Sequence, residues 1–150
     1  MSSSVYPQSK STKPSHSLGT VFVVDSEPLL LKILESSLTK AGLPTNTFTN
    51  PLAALEWYRT NHQTVGLVIF DDNLPAFSAH EFLSTCLSIS PAKKIAALSS
   101  STDPSLIAQI LEEGAVSYFA KPLDYESVTL WALQECQPIS LQQEGSHVSQ

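Results

Sequence analysis

The chain has 150 residues, which suits one domain with some length left over for tails. Hydrophobic residues make up 42% of it, enough for one buried core and too many for a disordered chain. The net charge of −6, from 14 acidic and 8 basic residues, excludes a general affinity for nucleic acid or anionic membrane, since phosphate surfaces need a basic partner.

The first 18 residues are rich in serine, carry Pro7, Lys10, Lys13 and Pro14, and read as a flexible leader without the apolar stretch of a signal peptide. Residues 20–25 are short, apolar and β-branched, which predicts a buried strand ending at Asp25. Pro28 then opens a helix to Lys40, with Leu30, Ile33, Leu34 and Leu38 at helical spacing and Gly42 as its closing residue. A weaker strand follows at residues 45–49. Asn50-Pro51 starts the second helix, with Asn as cap and Pro at the first helical position, and the helix runs through Leu52, Leu55, Trp57 and Tyr58.

Residues 66–70 form the clearest buried strand, ending abruptly in Asp71-Asp72-Asn73-Leu74-Pro75. Ser78 with Glu81 makes a capping box for a third helix through Phe82, Leu83 and Leu87. Residues 94–98 read as a fourth strand, and Asp103-Pro104 starts a helix ending near Gly114. Residues 116–120 read as a fifth strand, and Asp124 caps a last helix to about Glu135. Residues 137–150 are polar and without period, a second tail, so the folded unit is expected over residues 19–136.

Five strands alternating with five helices imply an α/β fold, a parallel sheet with helices on both faces. Ligands of such sheets bind outside the carboxyl ends of the strands, at a topological switch point. In this chain those ends carry Asp25, Asp71, Ser99 and Lys121, each directly after an apolar run. Two carboxylates brought together need a compensating charge. Mg²⁺ supplies it where oxygen ligands and a phosphate meet, and an ammonium and a hydroxyl complete a phosphoryl pocket.

Here the chain resembles the receiver domain of response regulators. The resemblance rests on Val23-Val24-Asp25-Ser26-Glu27-Pro28, Phe70-Asp71-Asp72-Asn73-Leu74-Pro75, Leu98-Ser99-Ser100, Gly114-Ala115 and Tyr118-Phe119-Ala120-Lys121-Pro122, in that order and spacing. It implies a doubly wound, flavodoxin-like fold of five strands and five helices. It implies Asp71 as phosphoacceptor, with Lys121 contacting the phosphoryl group. Mg²⁺ would be held by Asp25, Asp71 and the backbone carbonyl of Asn73, with Ser26 or Glu27 as a further ligand. Ser99 would be the switch hydroxyl, Tyr118 the aromatic that follows it, and Pro122 the residue after a cis peptide bond. The implied partners are a histidine kinase or histidine phosphotransfer protein and a downstream protein. No direct contact with nucleic acid or membrane is implied, and the output surface is the face of the last two helices and the fifth strand. The implied role is signalling rather than enzymatic turnover, beyond slow loss of the chain's own phosphoryl group.

Two departures stand out. Family members place two adjacent acids after the first strand, whereas Asp25 is followed by Ser26, a hydroxyl without charge. Ala79 stands where a glycine is common, which predicts an altered backbone because alanine tolerates positive φ poorly. Ser26 favours the alternative reading, a pseudo-receiver that binds proteins without phosphate. A third reading, an aspartyl-phosphate hydrolase, is disfavoured because Asp25-Ser26-Glu27 offers Glu in place of that class's second Asp. The stretch after Pro138 is too short for an output module, so the expectation is a receiver acting alone or a piece of a longer protein. Asp72, next to the acceptor, is expected to point away from the pocket. Cys86 and Cys136 match no zinc or disulfide pattern and read as free thiols of a reducing cytoplasm. His16, His62, His80 and His147 are scattered and read as surface residues. Nothing approaches the run of about 18 apolar residues that a membrane span requires.

Overall fold

The computed structural model describes residues 17–139. The remainder of the expected leader and tail lies outside the described residues. The elements in chain order are β1 (Thr20–Val24), α1 (Pro28–Lys40), β2 (Thr45–Phe48), α2 (Pro51–Asn61), β3 (Val65–Asp71), α3 (Ala79–Ile89), β4 (Ile95–Ser99), α4 (Pro104–Glu112), β5 (Ser117–Ala120) and α5 (Tyr125–Glu135). The strands form one parallel sheet in the order β2-β1-β3-β4-β5. The order reverses between β1 and β3, which puts the switch point at their carboxyl ends.

The two faces of the sheet follow from the alternation of side chains along its central strands. Phe22, Val24, Val68, Phe70 and Ala97 point to one side and pack against Leu55 and Tyr58 of α2, Phe82 and Cys86 of α3, and Ile110 of α4. Val21, Val23, Leu67, Ile69 and Leu98 point to the other, against Leu30, Leu31, Leu34 and Leu38 of α1 and Val128 and Ala132 of α5. All seven residues of β3 are buried, as a central strand covered on both faces requires. The helix starts stand where the sequence puts them. Asn50 accepts from the N–H groups of Leu52 and Ala53, Ser78 and Glu81 form the capping box, and Asp103 and Asp124 cap α4 and α5. Gly42 and Gly114 both take positive φ past the ends of α1 and α4.

Several expectations are corrected. Ile33 is 41% exposed and Leu31 takes its place in the core, because the α1 stripe faces the sheet one residue away from the expected line. Ala79 is simply the first residue of α3, and the positive φ falls on Ala76 (68°). Ala76 turns a small hairpin in which Asn73–Leu74 pairs antiparallel with Phe77–Ser78. The fifth strand begins at Ser117, leaving Val116 52% exposed. His62 is half-buried with its ring 5.9 Å from that of Tyr58, and burial followed by the nearby Lys93 charge lowers its pKa. Cys86 and Cys136 are free and buried.

The ends of the described chain meet at the amino-terminal edge of the sheet. Leu18 bridges Pro138 in antiparallel fashion, the Gly19 N–H donates to the Gln137 carbonyl (2.9 Å), and the Ile139 N–H donates to that of Ser17 (3.0 Å). The folded unit thus takes in residues just outside both expected boundaries. No helix among the described residues is long and apolar enough to cross a membrane.

Candidate functional site

The sheet ladder runs one residue past its strands and so fixes the rim. The Asp25 N–H donates to the Phe48 carbonyl (3.1 Å), the Asp72 N–H to that of Leu98 (2.9 Å), and the Lys121 N–H to that of Ser99 (2.8 Å). Asp25, Asp71 and Ser99 are all buried at this rim. Each then uses one side-chain oxygen to hold its own loop: the N–H groups of Glu27, Asn73 and Ser101 donate to Asp25 Oδ1 (2.9 Å), Asp71 Oδ1 (3.1 Å) and Ser99 Oγ (3.0 Å). The Lys121–Pro122 peptide bond is cis, as expected at that position.

The other oxygens of the two aspartates face one cation. Lys121 Nζ lies 2.9 Å from Asp25 Oδ2, 3.4 Å from Asp71 Oδ2 and 2.8 Å from Glu27 Oε2. Burial would lower the Lys121 pKa, but the hydrogen bond to Glu27 and the Asp25 and Asp71 carboxylates beside it raise it well above the usual lysine range. The Asp25 carboxyl is pushed up chiefly by burial and further by the Asp71 charge, with Lys121 and the Glu27 N–H pulling the other way. Lys121 is therefore a fully charged counter-ion in the pocket.

Four sequence-predicted residues, Asp25, Asp71, Lys121 and Glu27, come together. Ser99 is the last residue of β4, beside them. Asp72 follows the register in which Asp71 pairs with Leu98, which brings it level with Ser99; burial raises its pKa first of all, with the Ser99 hydroxyl opposing the rise. Tyr118 is half-buried on the edge strand β5, level with Ala97. Ser26 is exposed, and Pro122 is exposed. The Glu27–Lys121 pair is what sequence reasoning missed.

Asp25 Oδ2 tests whether a divalent cation fits. This oxygen is fully buried and has no aligned hydrogen-bond donor despite the lysine beside it. With Asp71 Oδ2 it gives two carboxylate oxygens, the number Mg²⁺ commonly takes from protein before phosphate and water complete its shell. The set is sparse. Ser26 brings no charge, and among the described residues no three acidic, histidine or cysteine side chains converge on a point that holds a metal ion. Asp25 and Asp71 are the two buried carboxylates the pocket offers.

Buried acids and a charged lysine thus meet at the switch point of a doubly wound sheet. Residues 21–131 match the response regulator receiver domain, and the chain belongs to that family. It is 30% identical over 112 residues to the two-component response regulator ARR12 of Arabidopsis thaliana, covering 74% of this chain and 19% of the relative. It is 26% identical over 108 residues to the DNA-binding transcriptional regulator NtrC of Escherichia coli, covering 72% and 23%. The chain thus spans about a fifth of the length of these relatives. In fold it is similar to the chemotaxis protein CheY4 of Vibrio cholerae, with a TM-score of 0.71 at 23% identity over 80% of this chain and 99% of that one. The CheX-CheY-BeF3-Mg complex from Borrelia burgdorferi gives 0.72 at 21% identity, over 77% and 87%. This is a receiver domain of a two-component response regulator, a signalling domain.

Proposed function

We propose that this receiver accepts a phosphoryl group on Asp71 from the phosphohistidine of a cytoplasmic kinase or phosphotransfer protein. A carboxylate oxygen of Asp71 would attack phosphorus, forming an O–P bond as the P–N bond breaks and the imidazole leaves with its electron pair. Such transfer has a loose transition state, so the pocket's task is to position groups and neutralise the outer phosphoryl oxygens. Lys121 does so with a fixed charge. Mg²⁺, held by Asp25, Asp71 and the Asn73 carbonyl, would add a second positive charge there. Asp71 Oδ1 is tied to the Asn73 N–H, which orients the carboxylate before any donor arrives.

Ser99 would then turn its hydroxyl to the new oxygens, giving up the Ser101 N–H and its contact with Asp72. Tyr118, on the strand paired with β4, would follow, changing the face of α4, β5 and α5. Leu111 (41%) and Val116 (52%) already stand exposed there, apolar surface that a partner protein can cover. The observation that carries the reading is the buried Asp25–Lys121–Asp71 arrangement. Asp71 is 4% exposed and sits opposite a charged lysine, a costly placement that an ordinary turn residue does not need.

The test is intact-mass spectrometry after incubation with acetyl phosphate and Mg²⁺. Wild type is expected to gain one phosphoryl group and Asp71→Asn none. No adduct on wild type or on Ser26→Asp would sink the reading. An adduct gained only by Ser26→Asp would support the second reading, a phosphate-independent interaction module, which the exposed and uncharged Ser26 favours.

A further inference from the structure

The phosphoacceptor reading makes no use of Glu27, yet Glu27 holds the key lysine. Of the acids around Lys121, Glu27 is nearest (2.8 Å) and accepts an aligned hydrogen bond, while the buried Asp25 Oδ2 receives none. The Glu27 side chain is 59% exposed, against 0% for Asp25 and 5% for Asp71. Lys121 therefore bridges the solvated Glu27 and the two buried acids, and its aligned bond goes to Glu27. The cation Glu27 meets is the Lys121 ammonium, and among the described residues no three acidic, histidine or cysteine side chains are placed to hold a metal ion.

We propose that Glu27 is a latch that holds Lys121 toward the pocket mouth, so that a phosphoryl group on Asp71 must draw the ammonium off Glu27 before Lys121 can serve it. The proposal rests on Asp71 as the acceptor and assigns Glu27 as a positioning residue acting through Lys121. An ion pair with one exposed partner is weak, which lets a phosphoryl group of roughly two negative charges win the exchange. The latch sets a threshold: weak anions leave Lys121 where it is, and only a group bonded at Asp71 competes.

Two readouts test it. Nitrogen-edited proton NMR of the lysine ammonium groups should detect a Lys121 signal protected from exchange in wild type. It should be lost or shifted in Glu27→Gln and Glu27→Asp, and unchanged in Glu35→Gln, a change on α1 outside the pocket. Beryllofluoride, a stand-in for a phosphoryl group, is then titrated in Mg²⁺ and followed by fluorine NMR. Both Glu27 variants should bind it up to about fivefold more tightly, the ceiling for such a pair. Glu27→Asp is the discriminating variant, since it keeps the charge but is one methylene short of Lys121. Tighter binding by Glu27→Gln alone would mean simple removal of a nearby charge and would overturn the latch. Unchanged affinity in both variants would also overturn it, while binding lost only in Asp71→Asn would leave the acceptor reading standing. No beryllofluoride on any variant, Ser26→Asp included, would overturn the acceptor reading and the latch with it.

Discussion

At the scale of single residues, Asp25 and Asp71 divide their oxygens between structure and chemistry. One oxygen of each pins the loop that follows, and the other is left facing Lys121. The desolvation that raises Asp25 acts more simply on Cys86, fully buried between α3 and the sheet, whose thiol it pushes from 9.0 up to about 12. Below pH 9.0 folded and unfolded chains both keep that proton. Above it the unfolded chain loses the proton first, so the folded state binds more protons and stability falls as pH rises toward about 12. From about pH 8.5 to about pH 10.5 this thiol should cost about 2 kcal/mol of unfolding free energy. Urea titrations of wild type and Cys86→Ala check it. The variant should lose that part of the slope, and equal slopes would mean that the thiol meets solvent.

At the scale of elements, the loop after Asp71 stores a local strain. Ala76 takes φ 68°, a left-handed conformation that costs a non-glycine residue roughly 1–2 kcal/mol. Ala76→Gly should therefore leave stability unchanged or raise it by up to about 1 kcal/mol, the reverse of the usual loss for such a change in regular structure. A shift of the urea midpoint to lower concentration would contradict this. The strain itself was not legible, because a hairpin of two-residue strands has no period to read. What was legible was local or strongly periodic. Doubly covered strands show as unbroken apolar runs, and caps such as Asn50, Ser78, Asp103 and Asp124 sit next to what they cap. Asp25, Asp71, Ser99 and Lys121 could be found because each ends an apolar run. The Glu27–Lys121 bond joins residues 94 apart, and only the closed sheet brings them together. Leu31 and Ile33 are separated by a rotation of the helix that the leucine-rich run Leu29-Leu30-Leu31 leaves undetermined.

At the scale of the whole molecule, the rim that carries the buried acids and the rim that gathers the chain ends lie at opposite edges of one sheet. The second rim depends on Gly66. A β-carbon there would run into the Gln137 carbonyl and the Cys136 sulfur, and Gln137 returns its N–H to the Gly66 carbonyl (2.9 Å). Gly66→Ala should cost about 1–3 kcal/mol, as overpacking in a filled core does. Hydrogen exchange should show the Gly19 and Ile139 N–H groups, which bond across this seam, opening sooner, with the β3 and β4 amides slower to follow. Uniform loss of protection would show that the seam is not a separate unit.

That seam also decides how the domain bears load. Tension applied through residues 17 and 139 meets two antiparallel segments side by side, and their cross-links, the Gly19 and Ile139 hydrogen bonds, lie across the line of parting. They would open in turn like the teeth of a zip, at low force, instead of resisting together in shear as the parallel strands of the sheet would. A tether on both sides would thus pull the seam apart while the carboxylates at the far rim stay in place, a mechanical fuse set at the opposite end of the sheet from Asp25 and Asp71.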